Sequence, residues 1–357
     1  MRTVHAVVPE DIDDPRRPSG GNAYDRRLLR ELGGLRWRVH EHRARGDWPD
    51  ADGVARARLA ETLADVPSGR TVLVDGLIAS AVPEVLAPEA DRLRIVVLLH
   101  VPMPALRPTD RTAARRERCA LNAAAAVVTT STWTRQTVLR RYGHDPDRVF
   151  VATPGVDLGP LATGSDDGGR LLCVGAVTAE KGHDVLIAAL ARVRDLDWSL
   201  LCVGPVGRDP GFVAGLEQQL HAEGLQDRVS LAGPRGHDEV RAAYAVADLL
   251  LAPSRVESYG MAVTEGLAHG LPVLVSDVGG LAEAVGRTLD GRVPGALVPP
   301  ANPDALAGTL RRWLTDPAWR HDLRAAALAR GGTLPGWQRT GRKVSWVLEH
   351  VLDGAVR

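Results

Sequence analysis

Two glutamates, Glu257 and Glu265, stand eight positions apart in the string Pro253-Ser-Arg-Val-Glu-Ser-Tyr-Gly-Met-Ala-Val-Thr-Glu-Gly-Leu-Ala-His-Gly-Leu-Pro-Val-Leu-Val-Ser276. The apolar run Leu249–Ala252 before it reads as a strand that ends in a loop, Ser254–Tyr259. Gly260 opens a helix to about His269, Gly270 ends it, and Pro272 starts the next strand. A loop feeding a helix N-terminus presents free backbone N–H groups and a positive dipole end, a setting that suits a diphosphate. Glu257 falls in the loop and Glu265 about two turns down the helix. The carboxylates can therefore grip different parts of one ligand, and neither is placed like a simple acid–base pair on one reacting atom.

Three further strings carry reactive types. Cys173-Val-Gly-Ala-Val-Thr-Ala-Glu-Lys-Gly-His-Asp184 reads as strand, glycine turn and a helix beginning near Gly182. Its Lys181 is one of two lysines in the chain, the other being Lys343. A helix start disfavours a cation, so an anionic ligand is the natural reason for Lys181, and Thr178 adds a hydroxyl nearby. In Pro18-Ser-Gly-Gly-Asn-Ala-Tyr-Asp25, Gly20 and Gly21 lead into a helix through Leu32, with Asn22 and Asp25 as lesser candidates. In Leu98-Leu-His-Val-Pro-Met103, His100 ends an apolar strand, where it can orient a hydroxyl or help move a proton.

The elements behind these strings are short apolar runs separated by helix-length segments. In the first half they are Val4–Val8, Thr71–Val74, Ile95–Leu99, Ala126–Thr129 and Val149–Ala152. In the second they are Leu171–Val174, Ser199–Val203, Val229–Leu231, Leu249–Ala252, Val273–Val275 and Ala296–Val298. Each run is continuous, as in a strand buried on both faces, and the alternation with helices implies parallel sheets. The series breaks once, at Thr163-Gly-Ser-Asp-Asp-Gly-Gly169, which has linker composition. The expectation is an α/β protein with two doubly wound, Rossmann-like domains, 1–160 and 161–334, facing a central crevice, and a final helix over 335–357.

The Glu-x7-Glu string resembles the family 4 glycosyltransferases of the GT-B fold, and the resemblance extends over essentially the whole chain. It implies a retaining transferase that moves a sugar from a nucleotide diphosphate sugar of UDP or GDP type to a small-molecule or lipid-linked acceptor. By position it gives Glu257 the donor sugar's hydroxyls and Glu265 the ribose. Ser258, Tyr259, Gly260 and Met261 form the turn that brings backbone amides to the donor. Lys181, with Thr178 beside it, stabilises the leaving diphosphate. Gly20 and Gly21 approach the phosphates or the acceptor, and His100 lies beside the reacting sugar. Arg235, in Gly233-Pro-Arg-Gly-His-Asp238, belongs to the loop that holds the base. The last helix is expected to pack back on the first domain. One position departs from the family pattern: Ala176 stands where an arginine usually follows the glycine. Arg208, Arg235 and Arg255 are the candidates to replace that cation. The departure motivates an alternative, a nucleotide-sugar-binding protein of GT-B fold with little transferase activity.

The 357 residues, 45% hydrophobic and 25% charged, describe ordinary globular domains. Formal net charge is zero, so the bulk field gives no argument for nucleic acid, and no nucleic-acid partner is expected. Cys119, Cys173 and Cys202 suggest neither a disulfide framework nor a zinc site. No metal ligand cluster is expected, and no cofactor. No apolar run approaches the ~20 residues of a membrane helix, and the expected compartment is the cytoplasm. Arg107, Arg111, Arg115, Arg116 and Arg118 form a basic cluster, read as a solvated face in preference to a peripheral membrane contact. A Rossmann oxidoreductase would need Gly-x-Gly-x-x-Gly, which neither Gly20-Gly21 nor Gly175 opens.

Overall fold

The computed structural model describes residues 2–353. In chain order the elements are β1 (Arg2–Pro9), α1 (Gly20–Gly34), β2 (Trp37–Ala44), α2 (Gly53–Ala64), β3 (Thr71–Asp75), α3 (Gly76–Ala81), α4 (Pro83–Glu89), β4 (Arg94–Leu99), α5 (Met103–Leu106), α6 (Arg111–Ala123), β5 (Ala126–Thr129), α7 (Thr132–Tyr142) and β6 (Val149–Val151). They continue with β7 (Arg170–Val174), α8 (His183–Ala191), β8 (Ser199–Val203), α9 (Pro210–Glu223), β9 (Val229–Leu231), α10 (His237–Val246), β10 (Leu249–Ala252), α11 (Met261–Ala268), β11 (Val273–Ser276), α12 (Leu281–Val285), β12 (Gly295–Val298), α13 (Pro303–Thr315), α14 (Pro317–Gly331) and α15 (Trp337–Leu352). Two compact units result. Among the described residues one comprises 2–13, 20–155 and 336–353, the other 14–19 and 156–335.

In the first unit six parallel strands lie in the order β2-β1-β3-β4-β5-β6. Strand order reverses at β1 and β3, which makes their carboxyl ends the place where such a sheet binds ligands. The interior strands are buried throughout, as the continuous apolar runs require: β3 and β5 have no exposed residue, and Ile95–Leu99 is fully buried. The helix α15 lies against α1: a Cβ added at Gly341 would meet Glu31 Cβ at 2.6 Å, and Trp37 Nε1 donates to Ser345 Oγ at 2.9 Å.

The strand β2 has no counterpart among the apolar runs. It is an edge strand, paired only with β1, and Arg38, His40, Glu41 and Arg43 along it are exposed. One free edge and a wet face need no apolar run, and charged side chains on an edge discourage pairing with other chains.

The second unit repeats the architecture in the order β12-β11-β10-β7-β8-β9, again all parallel. Its reversal point lies at β7 and β10. The glycine-rich stretch 163–169 is not a free linker. Buried Asp248 accepts from the N–H of Ser165 (2.5 Å) and of Arg170 (2.8 Å), and from the Ser165 hydroxyl (2.6 Å). Trp313 Nε1 donates to Gly168 O at 2.8 Å. Small residues let this backbone lie flat on the unit, which composition alone does not distinguish from flexibility.

Candidate functional site

In the second unit the loops leaving β7 and β10 carry Lys181 and Glu257. Lys181 Nζ donates to Glu257 Oε2 at 2.6 Å, with side chains 32% and 17% exposed. Arg255 fastens the two loops together. Its N–H donates to Glu180 O at 2.7 Å and its guanidinium to Ala179 O at 2.8 Å. The same guanidinium makes a two-point contact with Asp184, 2.7 Å on each arm. Burial raises the Asp184 pKa, and the hydrogen bonds and charge of Arg255 outweigh it, leaving the carboxyl below its ordinary value. Arg255 is thus engaged in bracing and does not stand in for the cation that Ala176 lacks. Arg208 donates to the carbonyls of Arg17 (3.2 Å) and Pro18 (3.1 Å), and exposed Arg235 pairs with Glu239 at 3.1 Å. Ala176 and Thr178 are half-buried beside Lys181 in the chain.

The Glu257 loop is held from behind by Gly279 and Gly280, which the motif reading did not single out. Gly280 N donates to Glu257 O at 3.0 Å. A Cβ on Gly279, whose φ is +57°, would lie 1.7 Å from that same oxygen, and one on Gly280 would lie 2.2 Å from Ser258 O. The pair follows β11 in plain sight, yet only the fold shows what it faces.

The four turn residues differ in what they can offer. Ser258, Tyr259 and Gly260 are buried, and Met261 begins α11. The Tyr259 ring packs among Val263, Leu281 and Ala284 in the core, and burial pushes its phenol up to about 12. Tyr259 therefore offers a ligand its main chain, not its hydroxyl. Glu265 is half-buried, and its Oε2 accepts from Tyr244 OH at 3.0 Å. Tyr244 in turn stacks on His269, ring centroids 5.2 Å apart.

In the first unit His100 follows β4 and meets two carboxylates. Its Nε2 lies 2.7 Å from Asp25 Oδ1, on α1, and 3.5 Å from Asp75 Oδ2, at the end of β3. Asp75 also caps α3, its Oδ1 accepting from the N–H of Leu77 (2.8 Å) and Ile78 (3.2 Å). Gly20 and Gly21 form the first turn of α1. A Cβ on Gly21 would approach His100 Cδ2 to 3.2 Å, so the glycine lets the helix lie against the ring. Burial lowers the His100 pKa, and the charges of Asp25 and Asp75 outweigh it, so the net direction is up. Burial, then the charge of Asp25, raise Asp75 to about 7 against the opposing pull of His100. Asp25, Asp75 and His100 are the one group of three among the described residues whose ligand atoms lie within 4.8 Å of one another, a spacing that suits a shared proton or a cation.

Two cavities complete the picture. One of about 480 Å³ opens on Arg170, Ser199 and Val229, at the amino ends of β7, β8 and β9, the opposite end of the sheet from the loops that carry Lys181 and Glu257. The other, about 240 Å³ in the first unit, is lined by Arg56, Arg107, Arg116, Asp50, Ser80 and Thr112 among others. Arg107 pairs there with Asp50, and Arg56 and Arg116 with Glu84. The basic cluster is therefore split: Arg107 and Arg116 turn to this cavity, while Arg111, Arg115 and Arg118 are exposed along α6. No described helix is long and apolar enough to cross a membrane.

Two parallel sheets of reversed strand order, each with polar groups gathered at the carboxyl ends of its strands, are the GT-B architecture. Residues 3–159 match the family model described as Glycosyltransferase Family 4, and residues 163–330 the one described as Glycosyl transferases group 1. The chain belongs to glycosyltransferase family 4, of the GT-B type. It is 39% identical over 220 residues to a D-inositol 3-phosphate glycosyltransferase of Nocardiopsis dassonvillei, covering 56% of this chain and 49% of that protein. It is 37% identical over 234 residues to the protein of the same description from Frankia alni, covering 60% and 56%. The matched stretches thus span about half the length of these curated relatives. Among solved structures, sucrose-phosphate synthase from Thermosynechococcus elongatus superposes with a TM-score of 0.80 at 22% identity, covering 99% of this chain and 100% of the other. HepE of Anabaena in complex with UDP-glucose does so with a TM-score of 0.78 at 18% identity, covering 98% and 100%.

Proposed function

We propose that this protein is a retaining glycosyltransferase that takes a sugar from a nucleotide diphosphate donor. The observation that carries the reading is the placement of Lys181, Glu257 and Glu265 around the loops that leave β7 and β10, the reversal point of the second sheet. Lys181 meets the diphosphate and stabilises the charge that builds on it as the sugar leaves. Glu257 holds hydroxyls of the donor sugar. Glu265, fixed by Tyr244, holds the ribose. Main-chain N–H groups of Ser258 to Met261 and the start of α11 add donors to the phosphates. Thr178 and Arg235 are assigned to the donor's phosphate and base ends. Gly20, Gly21 and His100 are assigned to the acceptor and the reacting sugar.

No nucleophile is assigned among the described residues, and the route proposed for retention is departure and attack on one face of the sugar. The leaving phosphate oxygen then accepts the proton of the acceptor hydroxyl. The bond from anomeric carbon to phosphate oxygen breaks, the bond to the acceptor oxygen forms, and the proton passes to the phosphate. No metal or cofactor is part of this route.

The acceptor is proposed to be anionic. The cavity lined by Arg56, Arg107 and Arg116 supports this, since Arg116 Nε is buried there without a partner. The inositol 3-phosphate relatives and the UDP-glucose held by the Anabaena neighbour make phosphorylated polyols and UDP-sugars the first pair to assay. A thermal-shift screen of nucleotide sugars, followed by product analysis with the best donor, tests the reading. A stabilising donor and a product of unchanged anomeric configuration support it. Inversion, or no stabilisation by any nucleotide sugar, refutes it.

Ala176 favours a second reading, a donor-binding protein with little transfer, because Arg255 is engaged and no arginine replaces it in the same loop. Tight donor binding with neither transfer nor hydrolysis across a panel of acceptors selects that reading.

A further inference from the structure

We propose that Asp25 and Asp75 are positioning residues that hold the His100 imidazole as a cation, Nε2–H turned onto their carboxylates and Nδ1–H left to donate to an oxygen of bound substrate. The proposal rests on the transferase reading above and adds to it a chemical role for His100, that of hydrogen-bond donor and not of base.

The geometry leaves the ring little choice. Nε2 faces Asp25 Oδ1 at 2.7 Å and Asp75 Oδ2 at 3.5 Å. Gly21 closes over Cδ2, and the edge of Tyr24 meets the ring with centroids 5.2 Å apart. Tyr24 is itself fixed by donating to Ala152 O at 2.8 Å. The Thr130 hydroxyl donates to the His100 carbonyl at 3.2 Å and so anchors the main chain. No protein partner for Nδ1 is found among the described residues, so that nitrogen is left for a ligand.

Charge then decides the protonation state. The groups facing His100 are Asp25 and Tyr24 from α1, Asp75 from β3, the Leu77 and Ile78 N–H groups that Asp75 caps, and the Thr130 hydroxyl after β5. Among the described residues no lysine or arginine pairs with Asp25 or Asp75. Among the described residues Asp25 and Asp75, 2% and 4% exposed, thus have one ring as their only basic partner, and Asp75, raised to about 7, keeps a proton of its own below that value. Leaving the Asp25 carboxylate uncompensated in a buried site is costly, and a proton on the imidazole 2.7 Å away compensates it. A neutral ring donating Nε2–H to Asp25 would turn a lone pair to substrate at Nδ1. An imidazolium turns an N–H there instead, and donors of that kind make the stronger, charge-assisted bonds to oxygen.

The test is a histidine NMR titration of the wild type, Asp25→Asn and Asp75→Asn, with the pH profile of kcat/KM measured on the same proteins. Asparagine keeps the shape of each side chain and still caps a helix, so α3 retains its N-cap in Asp75→Asn. Expected is a wild-type His100 titrating above the usual 6.5 and falling by about one pH unit or more in Asp25→Asn. The alkaline limb of kcat/KM should move down with it, and kcat should drop about ten- to a hundredfold while donor KM changes little. His100 titrating at or below 6.5 in the wild type overturns the proposal. So does an alkaline limb that stays put in Asp25→Asn, or activity lost on the acid side of the His100 titration. A stoichiometric divalent cation found at the three side chains also overturns it. The titration needs no turnover, which separates the two failures. Robust transfer with a low-titrating His100 sinks the pairing, whereas a high-titrating His100 in a protein that transfers no sugar sinks the transferase reading.

Discussion

Lys181 Nζ lies 2.6 Å from Glu257 Oε2, on loops that leave the adjacent strands β7 and β10. The only lysine of the second unit is therefore neutralised by a carboxylate that is itself assigned to the donor. In the proposed reading, an arriving diphosphate would compete with Glu257 for the ammonium and free the carboxylate for hydroxyl groups. Both side chains are partly exposed, so the pair contributes at most about 1 kcal/mol to stability. Lys181→Met is expected to melt within a few degrees of wild type and to bind a nucleoside diphosphate about tenfold or more weakly. Thermal unfolding and calorimetric titration on the same samples check this. A large loss of stability with unchanged affinity would show the pair to be structural.

Glu265 and Tyr244 form a second linked pair, at 3.0 Å. If Glu265 holds the ribose, Glu265→Ala weakens nucleotide binding by about tenfold, near one charged hydrogen bond. Tyr244→Phe, which removes only the hydroxyl that orients the carboxylate, weakens it less. Equal affinities of all three proteins for the free nucleotide would remove Glu265 from the site.

Gly279 touches no ligand in this account, yet its substitution should matter. Gly279→Ala places a methyl on a residue with φ +57°, against Glu257 O. The loop must shift, costing about 1–3 kcal/mol in backbone strain and displacing Glu257. Transfer should fall together with thermal stability, in contrast to Lys181→Met. Wild-type activity in the Gly279→Ala variant would mean that the Glu257 loop tolerates displacement.

The sign of the Asp75 and His100 shifts predicts a pH dependence of stability. Asp75 is raised from 3.8 to about 7, so between those values the folded protein holds a proton that the unfolded chain has released. Stability contributed by that proton is lost as pH rises through the window. The upward shift of His100 acts in the same direction, with its contribution lost as pH passes above the usual 6.5. Melting temperatures should therefore decline between about pH 5 and 8, with a shallower decline in Asp75→Asn. An unchanged slope in the variant would place the dependence on other groups.

Ala176 is half-buried at the turn that follows β7. Ala176→Arg is expected to fold with a melting temperature near that of wild type and to restore a second cation beside the diphosphate. Circular dichroism and thermal unfolding check the first part. A misfolded variant would mean that the turn has no room for an extended side chain.

What can be read from the sequence follows what is physically local. Strands buried on both faces announce themselves as apolar runs, so β3, β4, β5, β7, β10 and β11 are visible. The edge strand β2 is not, because its residues face water and carry charge. Glu257 and Glu265 stand out through their spacing in a strand–loop–helix string. Asp25 is 75 residues away from His100 in the chain, and only the strand order β1-β3-β4 brings it and Asp75 to the ring. Gly279 and Gly280 are legible as a turn but not as the support of Glu257. The stretch 163–169 has the composition of a linker without being one, since its anchor, Asp248, comes from the start of a distant strand.

The central claim is that Glu257 acts on the sugar while the nucleotide is held elsewhere. The direct measurement is sugar transfer by Glu257→Gln beside its affinity for the intact donor and for the free nucleoside diphosphate. The account predicts a transfer rate lower by about a hundredfold or more, with nucleoside diphosphate affinity within a few-fold of wild type. Wild-type transfer by Glu257→Gln would contradict it.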